Sequence, residues 1–94
     1  MRLLGKTKLD DFAERHADIR DPLDAWICEL EAADWQGPAD IRARYPSASF
    51  LSDNRVIFNI KGNKYRVETK VSYEVDVVLV IWIGTHAEYS KRKF

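Results

Sequence analysis

The chain reads as an α+β domain in which N-terminal helices cover one face of a small antiparallel sheet. Apolar residues recur at helical spacing through the first half, and from residue 48 the period drops to two. An uninterrupted apolar run over residues 77–83 then supplies a central strand. Ninety-four residues suffice for one domain, spanning residues 1–94, with one modest core.

Residues 3–17 are expected to form the first helix. Thr7 caps it, and Leu9, Phe12, Ala13, His16 and Ala17 share one stripe, so His16 reads as a packed residue at the core edge. Asp21-Pro22 opens a second helix, Asp as cap and Pro at the first helical position, with Leu23, Trp26, Ile27 and Leu30 on its apolar face. Gln36-Gly37-Pro38 breaks the chain before a short third helix over 39–44, which Tyr45-Pro46 ends.

Residues 47–51 read as a short edge strand and Asp53-Asn54 as a turn. Strands over 55–61 and 64–73 flank Gly62-Asn63, a two-residue loop suited to a tight hairpin. Glu74-Val75-Asp76 turns the chain into the run 77–83, whose lack of alternation implies burial on both faces. A short helical turn closes the domain.

The net charge is zero, but its distribution is uneven. Residues 1–54 carry seven Lys/Arg against eleven Asp/Glu, and residues 55–94 carry eight against four. Either one surface meets an anion such as nucleic acid, or the two halves neutralise each other where they pack. A single cysteine, Cys28, excludes an internal disulfide, fits a reducing cytosol, and reads as a small buried apolar side chain. No export signal opens the chain, and its longest apolar run is too short to span a bilayer. A cytoplasmic protein without membrane contact is expected.

A two-residue loop fixes the hairpin register. Ile60 meets Tyr65, Phe58 meets Val67 and Val56 meets Thr69 on the face the helices cover. The other face pairs Lys61 with Lys64, Asn59 with Arg66, Ile57 with Glu68 and Arg55 with Lys70. Like charges placed opposite each other cost roughly a few tenths of a kcal/mol or more per pair. That cost is offset if an anion occupies the face; alternatively, the basic side chains solvate an open sheet and discourage edge aggregation. Arg66, mid-strand beside an amide, suits bidentate contact with a phosphate.

Thr85-His86-Ala87-Glu88 has the pattern of a capping box, with Thr at the N-cap and Glu three residues on. His86 becomes the first helical residue, and Tyr89 falls on roughly the same side. The start of a helix attracts phosphate, although a histidine there also serves as a plain surface cap. Two His and one Cys give no metal-ligand spacing, and no Gly-rich phosphate loop or nucleophile elbow is present, so no cofactor is expected. Cutting RNA needs none. The ribose 2′-OH attacks the adjacent phosphorus, given a base, an acid for the leaving 5′-oxygen, and cations for the added charge.

Phe58-Asn59-Ile60-Lys61-Gly62-Asn63-Lys64-Tyr65-Arg66, followed by Gly84-Thr85-His86-Ala87-Glu88-Tyr89, resembles the HigB family of type II toxins. The likeness extends more loosely over Leu9, Phe12, the Trp26 helix, Trp35 and Tyr45-Pro46. It implies a RelE-like fold and an mRNA interferase that cleaves transcripts, generally on the ribosome. It also implies a cognate antitoxin with a helix-turn-helix DNA-binding domain. By similarity His86 is general base or acid, Arg66 and Lys64 hold the scissile phosphate, and Tyr89 orients the His or donates a proton. Arg55, Lys61, Lys70 and Asn59 would then track the RNA or ribosomal backbone. Two positions depart from the family pattern: Ile81 stands where a basic residue is common, and Ser90 follows Tyr89 where an acidic one is frequent. A non-catalytic RNA- or ribosome-binding module using the same face is the alternative, and a domain meeting an acidic protein partner is a third.

Overall fold

Gly5 adopts φ 89°, a left-handed conformation, and so divides the first expected helix in two. An added Cβ would also lie 3.0 Å from the Val80 carbonyl oxygen, so the turn depends on glycine for space as well as conformation. In the computed structural model, which describes residues 1–92, residues ahead of Gly5 form strand β1 (Arg2–Leu4) and those after it helix α1 (Lys6–Arg15). Thr7 therefore lies inside the helix, whose N-cap is Gly5 with no side-chain cap bond. A 3-10 turn (Ala17–Ile19) leads into α2 (Arg20–Ala32), and α3 (Pro38–Arg44) begins on its proline.

The strands that follow are β2 (Ser49–Phe50), β3 (Arg55–Ile60), β4 (Tyr65–Ser72) and β5 (Val77–Thr85), and α4 (His86–Ser90) is the last element among the described residues. The sheet order is β1-β5-β4-β3-β2. From β2 through β5 it is antiparallel, while β1 adds a parallel edge, Arg2 to Leu4 lying against Val77 to Leu79. The β3–β4 register is the one the hairpin loop dictates, from Arg55 opposite Lys70 to Ile60 opposite Tyr65. Lys61 and Gly62 both take positive φ, 55° and 64°, so the loop occupies residues 61–64 and both flanking lysines leave the strands.

One face of this sheet makes the core. Val56, Phe58, Ile60, Tyr65, Val67, Val71, Val78 and Val80 pack against Leu9, Phe12, Leu23, Trp26, Leu30 and Ile41. The Phe58 ring meets Trp26 at 5.2 Å, Tyr45 at 5.3 Å and Trp35 at 6.1 Å between centroids. Aromatic pairs at such separations add roughly 0.5–1.5 kcal/mol each beyond the area they bury. His16 does sit at the core edge, stacked on Phe12 and edge-on to Tyr65.

Further expectations require correction. Asp21 lies inside α2, whose N-cap is Ile19 with no side-chain cap bond, so Asp21 does not cap the helix and Pro22 is not its first residue. β5 is central, between β1 and β4, but only one of its faces is buried: Leu79 is 42% exposed, and Val77 and Trp82 are half-buried. The helices cover a single side, and a register shift between Glu68 and Thr69 inserts Ile81 as an extra residue, which disrupts the alternation. Cys28 is exposed on α2 rather than buried. No helix among the described residues is long and apolar enough to cross a membrane.

Candidate nucleic-acid interface

The capping box forms as the sequence predicts. Thr85 Oγ1 accepts from the Glu88 amide at 3.1 Å, and Glu88 Oε1 accepts from the Thr85 amide at 2.8 Å. This turns the chain sharply after β5 and carries α4 back toward the sheet. The His86 amide then donates to the Lys64 carbonyl at 2.9 Å, tying the start of α4 to the hairpin loop. Because Arg66 pairs with Gly84, the arginine emerges beside this turn.

Tyr89, not His86, is the ring that meets Arg66: the guanidinium carbon lies 4.5 Å from its centroid. Trp82 lies 6.2 Å from Tyr89, and the Arg92 guanidinium stacks on Trp82 at 4.3 Å. Gly84 leaves room for this arrangement, since a Cβ there would fall 2.4 Å from the Trp82 ring. The His86 ring is exposed, with Nδ1 3.4 Å from Ser90 Oγ. His86, Tyr89, Lys64 and Arg66 thus share one end of the sheet.

The other hairpin cations are paired with carboxylates. Lys61 Nζ donates to Asp18 Oδ2 at 3.0 Å, Lys64 Nζ donates to the same oxygen, and Tyr65 OH donates to Oδ1 at 2.6 Å. Lys70 reaches Asp53 at 3.2 Å. Arg55 and Arg92 flank the buried Glu68 carboxylate at 3.6 and 2.8 Å. Asn59 Nδ2 donates to the Ser47 carbonyl at 2.9 Å, fastening the loop before β2. Asp18 and Asp53 belong to the acidic first half, so the two halves do neutralise each other here. Among the described residues no carboxylate pairs with Arg66, which is half-buried.

These pairings set the protonation states. Hydrogen bonds from Lys64, Tyr65 and Lys61 hold the Asp18 carboxyl far below the usual carboxylate range. The Asp18 bond in turn raises Lys64 above its ordinary value, so Lys64 acts as a fixed cation rather than a proton donor near neutral pH. The same carboxylate, together with burial, raises Tyr65. Among the described residues no three His, Cys, Asp or Glu side chains gather as a metal site requires.

The roles of Asp18 and Trp82, the space Gly84 leaves and the pairing of Glu68 with Arg92 were not foreseen from the sequence. Asp18 meets its partners across more than forty residues, and no local pattern announces that. Gly84 did carry a signal, as a glycine at a strand end two residues after a tryptophan. Ile81 lines a hollow of about 280 Å³ with Lys8, Asp11 and Arg15 of α1.

Proteins similar in sequence carry one family name. The mRNA interferase toxin HigB of Escherichia coli K12 is 28% identical over 91 residues, 95% of this chain and 88% of that protein. The mRNA interferases HigB of Escherichia coli O157:H7 and Shigella flexneri match to the same extent. A family model described as HigB toxin, the RelE-like toxic component of a toxin-antitoxin system, matches residues 19–92. With most of its length inside that match, the chain belongs to the HigB toxin family.

Proposed function

We propose that this chain is a cytoplasmic endoribonuclease toxin that cuts mRNA, on the ribosome, and is restrained by a cognate helix-turn-helix antitoxin. The observation that carries the reading is Arg66. It is a half-buried cation with no carboxylate partner among the described residues, lying against Tyr89 beside a helix start that bears His86. In the reaction the ribose 2′-oxygen forms a bond to phosphorus and the bond from phosphorus to the 5′-oxygen breaks. His86 takes the 2′-proton or supplies the one the leaving oxygen needs, and Tyr89 orients the imidazole or donates in its place. Arg66 and Lys64, whose ammonium Asp18 stabilises, offset the extra negative charge that develops on phosphorus. Lys61, Arg55, Lys70 and Asn59 would follow the backbone on either side.

Expressing the chain alone and mapping the 5′ ends of cellular transcripts tests this reading. New ends that appear with wild type and vanish with Arg66→Ala are the expected result. Ends that are unchanged by the substitution reject the assignment of Arg66.

Ile81, at a position where the family commonly carries a cation, favours a second reading as a binding module that stalls translation without cleavage. Growth arrest with intact transcripts is its signature.

A further inference from the structure

Lys61 and Lys64 face each other across the hairpin loop, and two ammonium groups placed so repel. Both instead donate to one carboxylate oxygen, Asp18 Oδ2, while Asp18 Oδ1 accepts from Tyr65. Tyr65 is 1% exposed, wedged against Phe12 and His16, so the carboxylate is anchored to a buried group. Its backbone is equally fixed. Asp18 lies in the 3-10 turn beside Ile19, which is fully buried. The loop it holds closes on itself through a backbone bond from the Lys64 amide to the Lys61 carbonyl at 3.2 Å and contains a lysine at φ 55°.

We infer that Asp18 is a positioning residue that gathers Lys61 and Lys64 into one cationic fork for a single RNA phosphate. The inference rests on the ribonuclease reading above. Each ammonium carries three protons, and only one is spent on Asp18. The two side chains remain 44% and 56% exposed, so the remaining donors face solvent. Two lysines and one aspartate leave a single net positive charge, matching one phosphodiester. The fork also lies next to the reacting end of the site, because the Lys64 carbonyl accepts from the His86 amide. A shift of the loop would carry Lys64 away from the phosphate that His86 serves.

The opposite view is that Asp18 merely competes with RNA for the lysines, and the two views predict opposite effects. Asp18→Asn keeps the shape, weakens the anchor and raises the local positive charge. If Asp18 positions the fork, kcat falls about 10–100-fold while RNA binding holds or tightens, since a misplacement near 1 Å is worth that much. Asp18→Glu restores part of kcat. If Asp18 only competes, Asp18→Asn cuts as fast as wild type or faster, and the inference is overturned. A measurement on the free protein accompanies this. The Lys64 ammonium, followed by NMR, should lose its proton at lower pH in Asp18→Asn than in wild type; an unchanged titration also overturns the inference. The same spectra verify that each variant is folded. A wild-type chain that cuts no RNA defeats the ribonuclease reading and the inference with it, whereas wild-type cleavage with an indifferent Asp18→Asn defeats the inference alone.

Discussion

Gly84→Ala should damage the site through a tryptophan. Gly84 pairs with Arg66 and has no positive φ, so alanine meets no backbone strain there. Its methyl carbon would, however, fall 2.4 and 2.5 Å from two atoms of the Trp82 ring, where ordinary contact needs 3.4–4 Å. The ring must therefore move by about 1 Å or more, and overpacking of this kind costs about 1–3 kcal/mol. For a domain of this size that lowers the melting temperature by roughly 4–8 °C for each kcal/mol. Because Trp82 supports Arg92 and abuts Tyr89, the shift also disturbs the ring that meets Arg66. A double-mutant cycle isolates the cause. In a Trp82→Ala background the obstructing ring is gone and only Glu88 Oε1, 3.2 Å from the added carbon, must yield slightly, so Gly84→Ala should cost much less in chemical denaturation. An equal cost in both backgrounds, or no cost in the wild-type background, refutes the reasoning.

Other predictions follow from the same contacts. Thr85→Ala removes one half of the capping box and should cost about 1 kcal/mol by denaturation, with loss of the α4 amide protection from hydrogen exchange. Glu68→Ala leaves two arginines facing an empty buried position. It should cost about 1–3 kcal/mol, below the cost of breaking a fully buried pair, because Arg55 and Arg92 retain 29% exposure and can turn to water. Asp18, Glu29 and Glu88 all have folded-state values below their ordinary ones, through bonds from Lys64, Tyr45 and the Thr85 amide respectively. Their contribution to stability is therefore complete above the ordinary carboxylate range and is lost as pH falls through it toward the folded-state values. Unfolding free energy measured from neutral pH downward should drop over that window, with a shallower drop in Asp18→Asn.

The sequence was most readable where geometry is local. The expected turn at Gly62-Asn63 centres the hairpin correctly even though the loop widens to residues 61–64, so every partner from Arg55–Lys70 to Ile60–Tyr65 could be named in advance. Thr85 and Glu88 satisfy each other's amides within one turn, so the bend that delivers α4 was equally legible. Strand β1 was not, because three residues are too few to display a period. The bulge at Ile81 was hidden inside an apolar run, where a shift of face leaves no polar residue out of place. Nor could the charge pairing be read. Lys61, Lys64 and Lys70 looked unopposed because their carboxylates, Asp18 and Asp53, come from other segments. Arg66 remained as the cation that the sheet positions and no described carboxylate pairs, and its contact with Tyr89 depends on how α4 folds back.

Single-turnover cleavage of a defined mRNA on ribosomes, comparing wild type with Arg66→Ala at equal folded fraction, tests the central claim most directly. The account predicts fragments with 5′-hydroxyl ends from wild type and a rate roughly 100–1,000-fold lower from the variant, the loss typical of removing a preorganised charge contact. Equal rates, or transcripts that stay whole while translation stops, would contradict it.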